Sequence, residues 1–163
     1  MEGEMKRFVQ IGSVLLVAIG LCVSAETVLL NDFTEVFKAL ESGERVKAVF
    51  HYKDCRLTID GEDIEKVPDA VGGMAVDTFE YFGPGAIGNE KAYIASSHTV
   101  LIHHPRHGYV LNYVKVSIFE DNTVKVSAKY VTPDTYETRM DEVFSTEIHN
   151  GKNSGGARFY LIK

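Results

Sequence analysis

The chain has 163 residues, with 17 Lys and Arg against 23 Asp and Glu, a formal net charge of −6, six histidines and two cysteines. A chain of that size fits one domain and can bury about two-thirds of its unfolded surface without a disulfide framework. Acidic overall and with scattered lysines, it lacks the basic stripe that releases counterions from a phosphate backbone, so neither nucleic acid nor an anionic membrane surface is an expected partner.

The first stretch, MEGEMKRFVQIGSVLLVAIGLCVSAE, has Lys6 and Arg7 ahead of an apolar run from Phe8 to Val23, closed by Ser24 and Ala25. That order is the pattern of a secretory signal peptide. The run falls short of the ~20 apolar residues that span a bilayer comfortably. Cleavage is expected after Ala25, which leaves residues 26–163 as a single secreted domain with no membrane attachment. Glu2, Glu4, Lys6 and Arg7 leave together, so the remaining chain keeps a charge of −6 (15 basic against 21 acidic). Cys22 leaves as well. Cys55 is then a lone thiol, an unusual feature in a secreted protein.

NDFTEVFKALESG reads as one helix, because Phe33, Val36, Phe37 and Leu40 fall on a single face. Asp32 and Glu35 suit a capping box, and Gly43 suits the left-handed residue past the end. After it the period becomes two: Val46, Ala48, Phe50 and Tyr52 alternate with polar residues, and Cys55, Leu57 and Ile59 continue in a second short strand. The acidic stretch DGEDIEKVPD lacks the ligand order of an EF-hand and reads as a solvated loop rather than a calcium site. In VGGMAVDTFEYFGPGAIG the Gly72-Gly73 pair opens an apolar strand. It does not stand between a strand and a helix, so it marks a bulge or tight bend and not a phosphate loop.

KAYIASSHTVLIHH and GYVLNYVKVSIFEDNTVKVSAKYV are strand-like throughout, with Glu120 to Thr123 as the turn of a long hairpin. A less regular tail ends in a final strand, RFYLI. The pattern predicts an α+β fold: one N-terminal helix packed on a curved, mostly antiparallel sheet or partly closed barrel of about seven strands.

The order of Ala39-Leu40, Ser42-Gly43, Val46, Ala48 and Cys55, then GGMAVDTFEYF, SSHTVLIH and NYVKVSIFEDNTVKVSAKYVTPDTYE, resembles the VirK-like family of secreted proteins. The likeness runs from about Asp32 to Gly151. It implies an exported, single-domain protein with no settled enzymatic activity. Family members tend to carry a second cysteine where this chain has Phe144, Ser145 or Thr146, so an intrachain disulfide is not possible here.

Three sites remain to be weighed. Four histidines fall between His98 and His107, and His103, His104 and His107 are the candidates for zinc or copper. On a strand His103 points away from His104, and Arg106 repels a cation, so a polar hairpin tip is the favoured reading and no cofactor is expected. Cys55 with His51 or His149 carries no nucleophile signature. Its inward phase fits a buried thiol; its neighbours Lys53 and Arg56, near a turn, fit an intermolecular disulfide, as a Cys55-linked dimer or a link to another protein. Tyr109, Leu111, Tyr113 and Phe119 form an apolar row opposite the valine face, either a ligand or partner surface or one side of a doubly covered strand. The expected function is a secreted, non-enzymatic binding or extracellular matrix-type protein with an extracellular protein or small ligand as partner. The alternatives are a carrier of a small apolar ligand in a β-sheet cavity and a metal-dependent enzyme at the histidines.

Overall fold

The computed structural model describes residues 26–163; the expected signal peptide and Cys22 lie outside the described residues. The helix α1 (Phe33–Glu41) forms where its apolar face required it. Asp32 caps it by accepting the Glu35 N–H at 2.8 Å. The return bond of the capping box lands one residue earlier than expected, as Glu35 Oε2 accepts the Asn31 N–H at 2.7 Å. Gly43 takes φ 75°, the left-handed conformation that a residue with a Cβ resists.

Eleven strands accompany it among the described residues: β1 (Thr27–Leu30), β2 (Arg45–His51), β3 (Arg56–Ile59), β4 (Glu62–Ile64), β5 (Val71–Ala75), β6 (Phe79–Phe82), β7 (Tyr93–His104), β8 (Gly108–Phe119), β9 (Thr123–Val131), β10 (Thr138–Glu147) and β11 (Ala157–Ile162). They pair antiparallel in two sheets, one in the order β1-β11-β2-β5 and the other β4-β3-β10-β9-β8-β7-β6. The fold is therefore mostly β, with two sheets and no closed barrel, in place of the single sheet or partial barrel of about seven strands that the sequence predicts. The chain changes sheets in four places, between β2 and β3, β4 and β5, β5 and β6, and β10 and β11. A 3-10 turn at Tyr52–Asp54 carries it from β2 to β3, and the segment 76–78 carries it from β5 to β6. Ser96, buried on β7, fixes the crossing from β5 to β6 by donating its hydroxyl to the Thr78 carbonyl at 2.6 Å. Alternation continues through such a switch, so the pattern alone does not reveal it.

Two local expectations are corrected by the backbone. Asp60 and Gly61 both have positive φ, 52° and 84°, and make the two-residue hairpin joining β3 to β4 inside the supposed acidic loop. Gly72 and Gly73 mark no bulge, since β5 pairs with β2 in unbroken register. They permit close approach: a Cβ on Gly72 would lie 2.6 Å from the Tyr52 hydroxyl oxygen, and one on Gly73 would lie 2.9 Å from the Ala48 carbonyl oxygen.

Between the sheets lies the core, where Phe50 and Phe159 from one face Ile94, Val116, Ile118 and Val126 from the other. α1 covers one end of that gap. Its Phe33 N–H donates to Asn122 Oδ1 at 2.8 Å, in the turn between β8 and β9, and Phe37 stacks on Tyr81 of β6 at 4.3 Å between ring centroids. The opposite end, toward Tyr52 and the β7–β8 hairpin tip, has no helix over it.

Candidate binding cleft and surface sites

Near α1 the inward rows of β8, β9 and β10 are mainly apolar, with Val116, Ile118, Val124, Val126 and Phe144 buried. Farther along the same strands their chemistry changes. Asn112 stands opposite Tyr130, Tyr130 opposite Met140, and Glu142 opposite Ala128, all on the inward side. The result is a cleft between the sheets at the end that α1 leaves open.

One part, about 180 Å³, lies between β5 and β7 and is lined by Phe50, Tyr52, Gly72, Gly73, Met74, His98, Val100, Asn112 and Val114. A neighbouring part of about 270 Å³ shares Tyr52, Asn112 and Val114 and adds Pro68, Ala70, Ala128, Tyr130, Met140, Glu142 and Phe144. Tyr52 stands between them, placed by the 3-10 turn with its ring 4.5 Å from that of Phe144. Burial, followed by the nearby Cys55, Tyr130 and Glu142, pushes its phenol above the ordinary value. Burial likewise raises the carboxyl of Glu142. Apolar walls with a few convergent polar groups are the composition of a site that holds a small molecule by its body and orients it by one end.

The histidine tip behaves differently. His104 and His107 stack at 4.7 Å between ring centroids, and His104 lies 5.1 Å from the ring of Tyr130. His104 Nδ1 accepts the Arg106 N–H at 3.2 Å. Loss of hydration, then the charges of His107, Arg106 and His103, hold its imidazole below the usual value. His103 projects from the other face against Tyr109, with centroids 5.0 Å apart. The structure thus does not bring His103, His104 and His107 together, and no group of three or more His, Cys, Asp or Glu among the described residues is placed to hold a metal ion.

Cys55 is 8 % exposed, and its thiol donates to the His51 carbonyl at 3.4 Å. Burial raises its pKa, against a lowering hydrogen bond from Thr146. A thiol that is both covered and held in its neutral form is poorly suited to disulfide exchange, so this placement favours the buried thiol over the Cys55-linked dimer. No dyad forms with His51, whose ring nitrogen Nε2 is engaged by Arg158.

Tyr109, Leu111, Tyr113 and Phe119 lie on the outer face of the seven-stranded sheet, with the cleft behind them on the other side. Tyr109 is 65 % exposed. Phe119 continues an aromatic ladder through Tyr93, at 5.6 Å, to Phe82 at 5.0 Å from Tyr93. The row lines no part of the cleft. A signal for the cleft was present elsewhere in the sequence: Asn112, Tyr130 and Glu142 interrupt the inward rows of three strands that prove to be neighbours.

Fold and cleft together define a two-sheet β domain plugged by a helix at one end and open at the other. The family model described as VirK protein matches residues 29–136, and the chain belongs to the VirK family. The crystal structure of a VirK family protein from Legionella pneumophila is similar, with a TM-score of 0.61 at 13 % identity over 81 % of this chain and 98 % of that one. At that identity the likeness is one of fold. No functionally curated protein matches the chain.

Proposed function

We propose that this protein is an exported, non-enzymatic binding protein that holds a small, mainly apolar ligand in the cleft between its two sheets. The observation that carries the reading is the convergence of Asn112, Tyr130 and Glu142, with His98 at the rim, on a cleft whose apolar walls include Phe50, Tyr52, Met74, Val114 and Phe144. These polar groups sit where packing alone would favour further valines, as it does nearer α1. The ligand that matches has an apolar body and one hydrogen-bonding end. The outer row from Tyr109 to Phe119 supports a second contact, with an extracellular protein, because an exposed tyrosine beside half-buried apolar neighbours is typical of partner surfaces.

The cleft is tested with 1-anilinonaphthalene-8-sulfonate, an apolar body bearing one anionic group. Its fluorescence should rise on binding the folded protein and fail to rise with Val114→Phe, which fills the shared wall of the two parts. An undiminished response in a folded Val114→Phe variant would place the dye elsewhere and remove the cleft reading. Export is tested separately by N-terminal sequencing of the protein recovered outside the cell, which should begin at Glu26.

A further inference from the structure

We infer that the free edge of β7, from Ser97 to Pro105, is a docking surface for a second copy of this chain, joined edge to edge as an antiparallel strand pair. The inference goes beyond the cleft reading and rests on the backbone. Glu120 N–H donates to the Ala92 carbonyl at 3.0 Å. The register between β7 and β8 is unbroken from Tyr93 to His104. Even-numbered residues of β7 therefore turn their N–H and C=O groups toward β8, and odd-numbered ones turn theirs to the opposite side. Tyr93 and Ala95 meet β6 there, but β6 ends its pairing at Phe79 opposite Ser96 and the chain crosses to the other sheet. The backbone groups of Thr99, Leu101 and His103, beyond the reach of β6, consequently face no strand, and none has a backbone partner among the described residues.

Natural sheets blunt such an edge with lysine, proline, a bulge or a covering loop. None is present between Ser97 and His104. Every residue from Ser97 to Leu101 is exposed, with Val100 at 40 % and Leu101 at 59 %. What satisfies a row of orphan amides and carbonyls is another extended chain.

The sequence of the edge indicates which chain. HTVLIHH, His98 to His104, is symmetric in polarity about Leu101: two polar residues, three apolar, two polar. The free stretch is also symmetric about it in length, since β6 departs at Ser97 and the hairpin turns at Pro105. A two-fold axis through Leu101 sets Leu101 against its counterpart and Thr99 against His103, each pair exchanging two backbone bonds. It sets Val100 against Ile102, and His98 against His104, in the alternate positions. Apolar meets apolar and polar meets polar, as an isologous interface requires. No carboxylate or ammonium is directly opposed to its like, despite the acidic charge of the whole chain.

Sedimentation velocity over a range of concentrations should show a monomer–dimer equilibrium. Thr99→Pro should abolish the dimer without disturbing the β7–β8 ladder, because the amide it removes points to the free edge. Leu101→Lys should also abolish it, and circular dichroism should report both variants folded. Hydrogen exchange on the wild type gives a test that needs no variant: the amides of Thr99, Leu101 and His103 should slow as concentration rises. A protein that stays monomeric with these amides exchanging freely at every concentration would overturn the inference, as would a dimer that persists in both variants.

Discussion

Glu142 is a carboxylate on the inward face of β10, a position that its neighbours in the row fill with apolar side chains. Burial raises its pKa, so the folded chain binds that proton more readily than the unfolded chain does. Its favourable contribution is therefore full at low pH and is lost as pH rises from the unfolded value through the raised one. Glu142→Gln removes that penalty while keeping the side chain's shape. The expected gain near neutral pH is small, about 0.5 kcal/mol, in keeping with a half-buried site. It should vanish below the ordinary carboxylate range, and thermal melts of the two proteins at both pH values measure it. Asp121 has the opposite sign. Hydrogen bonds from Lys91, then Thr123, draw its carboxyl down to about 2, so its contribution is present at neutral pH and lost only as pH falls toward that value. A melting temperature for Glu142→Gln that equals wild type at neutral pH would mean that the carboxyl is fully hydrated and does not face the cleft.

At the scale of elements, the strands most legible in the sequence are those whose two faces differ. Val46, Ala48 and Phe50 of β2 are buried, and β8 and β9 alternate cleanly near α1. β10 looks irregular in sequence for a physical reason: its register shifts between Thr138 and Met140, which breaks the period, and Glu142 occupies an inward position. β1 is not legible because TVLL is short and closely follows the N-terminal apolar run. The chain's change of sheet between β5 and β6 was illegible, since local alternation specifies a strand but not its partner. The row of Tyr109 and Tyr113 is legible as a ligand or partner surface because aromatic residues repeat along it, whereas the cleft on the other face is marked only by single inward polar residues such as Asn112. The glycine pair permits close approach in place of the bulge or bend that the sequence predicts. Gly73→Ala tests the corrected role: a Cβ there meets the Ala48 carbonyl, backbone that cannot swing aside. Overpacking of this kind typically costs about 1–3 kcal/mol. Gly72→Ala meets the end of the Tyr52 side chain instead and should be milder, displacing the ring. Urea unfolding of the two variants should rank them in that order, and equal costs would show that β5 does not pack so closely on β2.

For the whole molecule, the family match and the fold divide the chain differently. The match ends at Tyr136, just before β10. Yet β10 lies between β3 and β9 in the larger sheet, and β11 lies between β1 and β2 in the smaller. Strands from the last stretch of chain thus separate strands from the first in both sheets. Ile148 and Ala157 also bridge the two sheets, and Phe144, Ile148 and Phe159 are buried in the common core. Without them β1 has no partner at all, β3 keeps only the three-residue β4, and Phe50 and Val126 lose the side chains they pack on. A chain of residues 26–136 should therefore not fold, although it contains the whole of the family match. Circular dichroism and proton NMR of that fragment should show little sheet and no dispersed methyl signals, whereas residues 26–163 should show both. A folded fragment would mean that β9 and β2 find other partners, and that the described topology is not the one on which the family's stability depends.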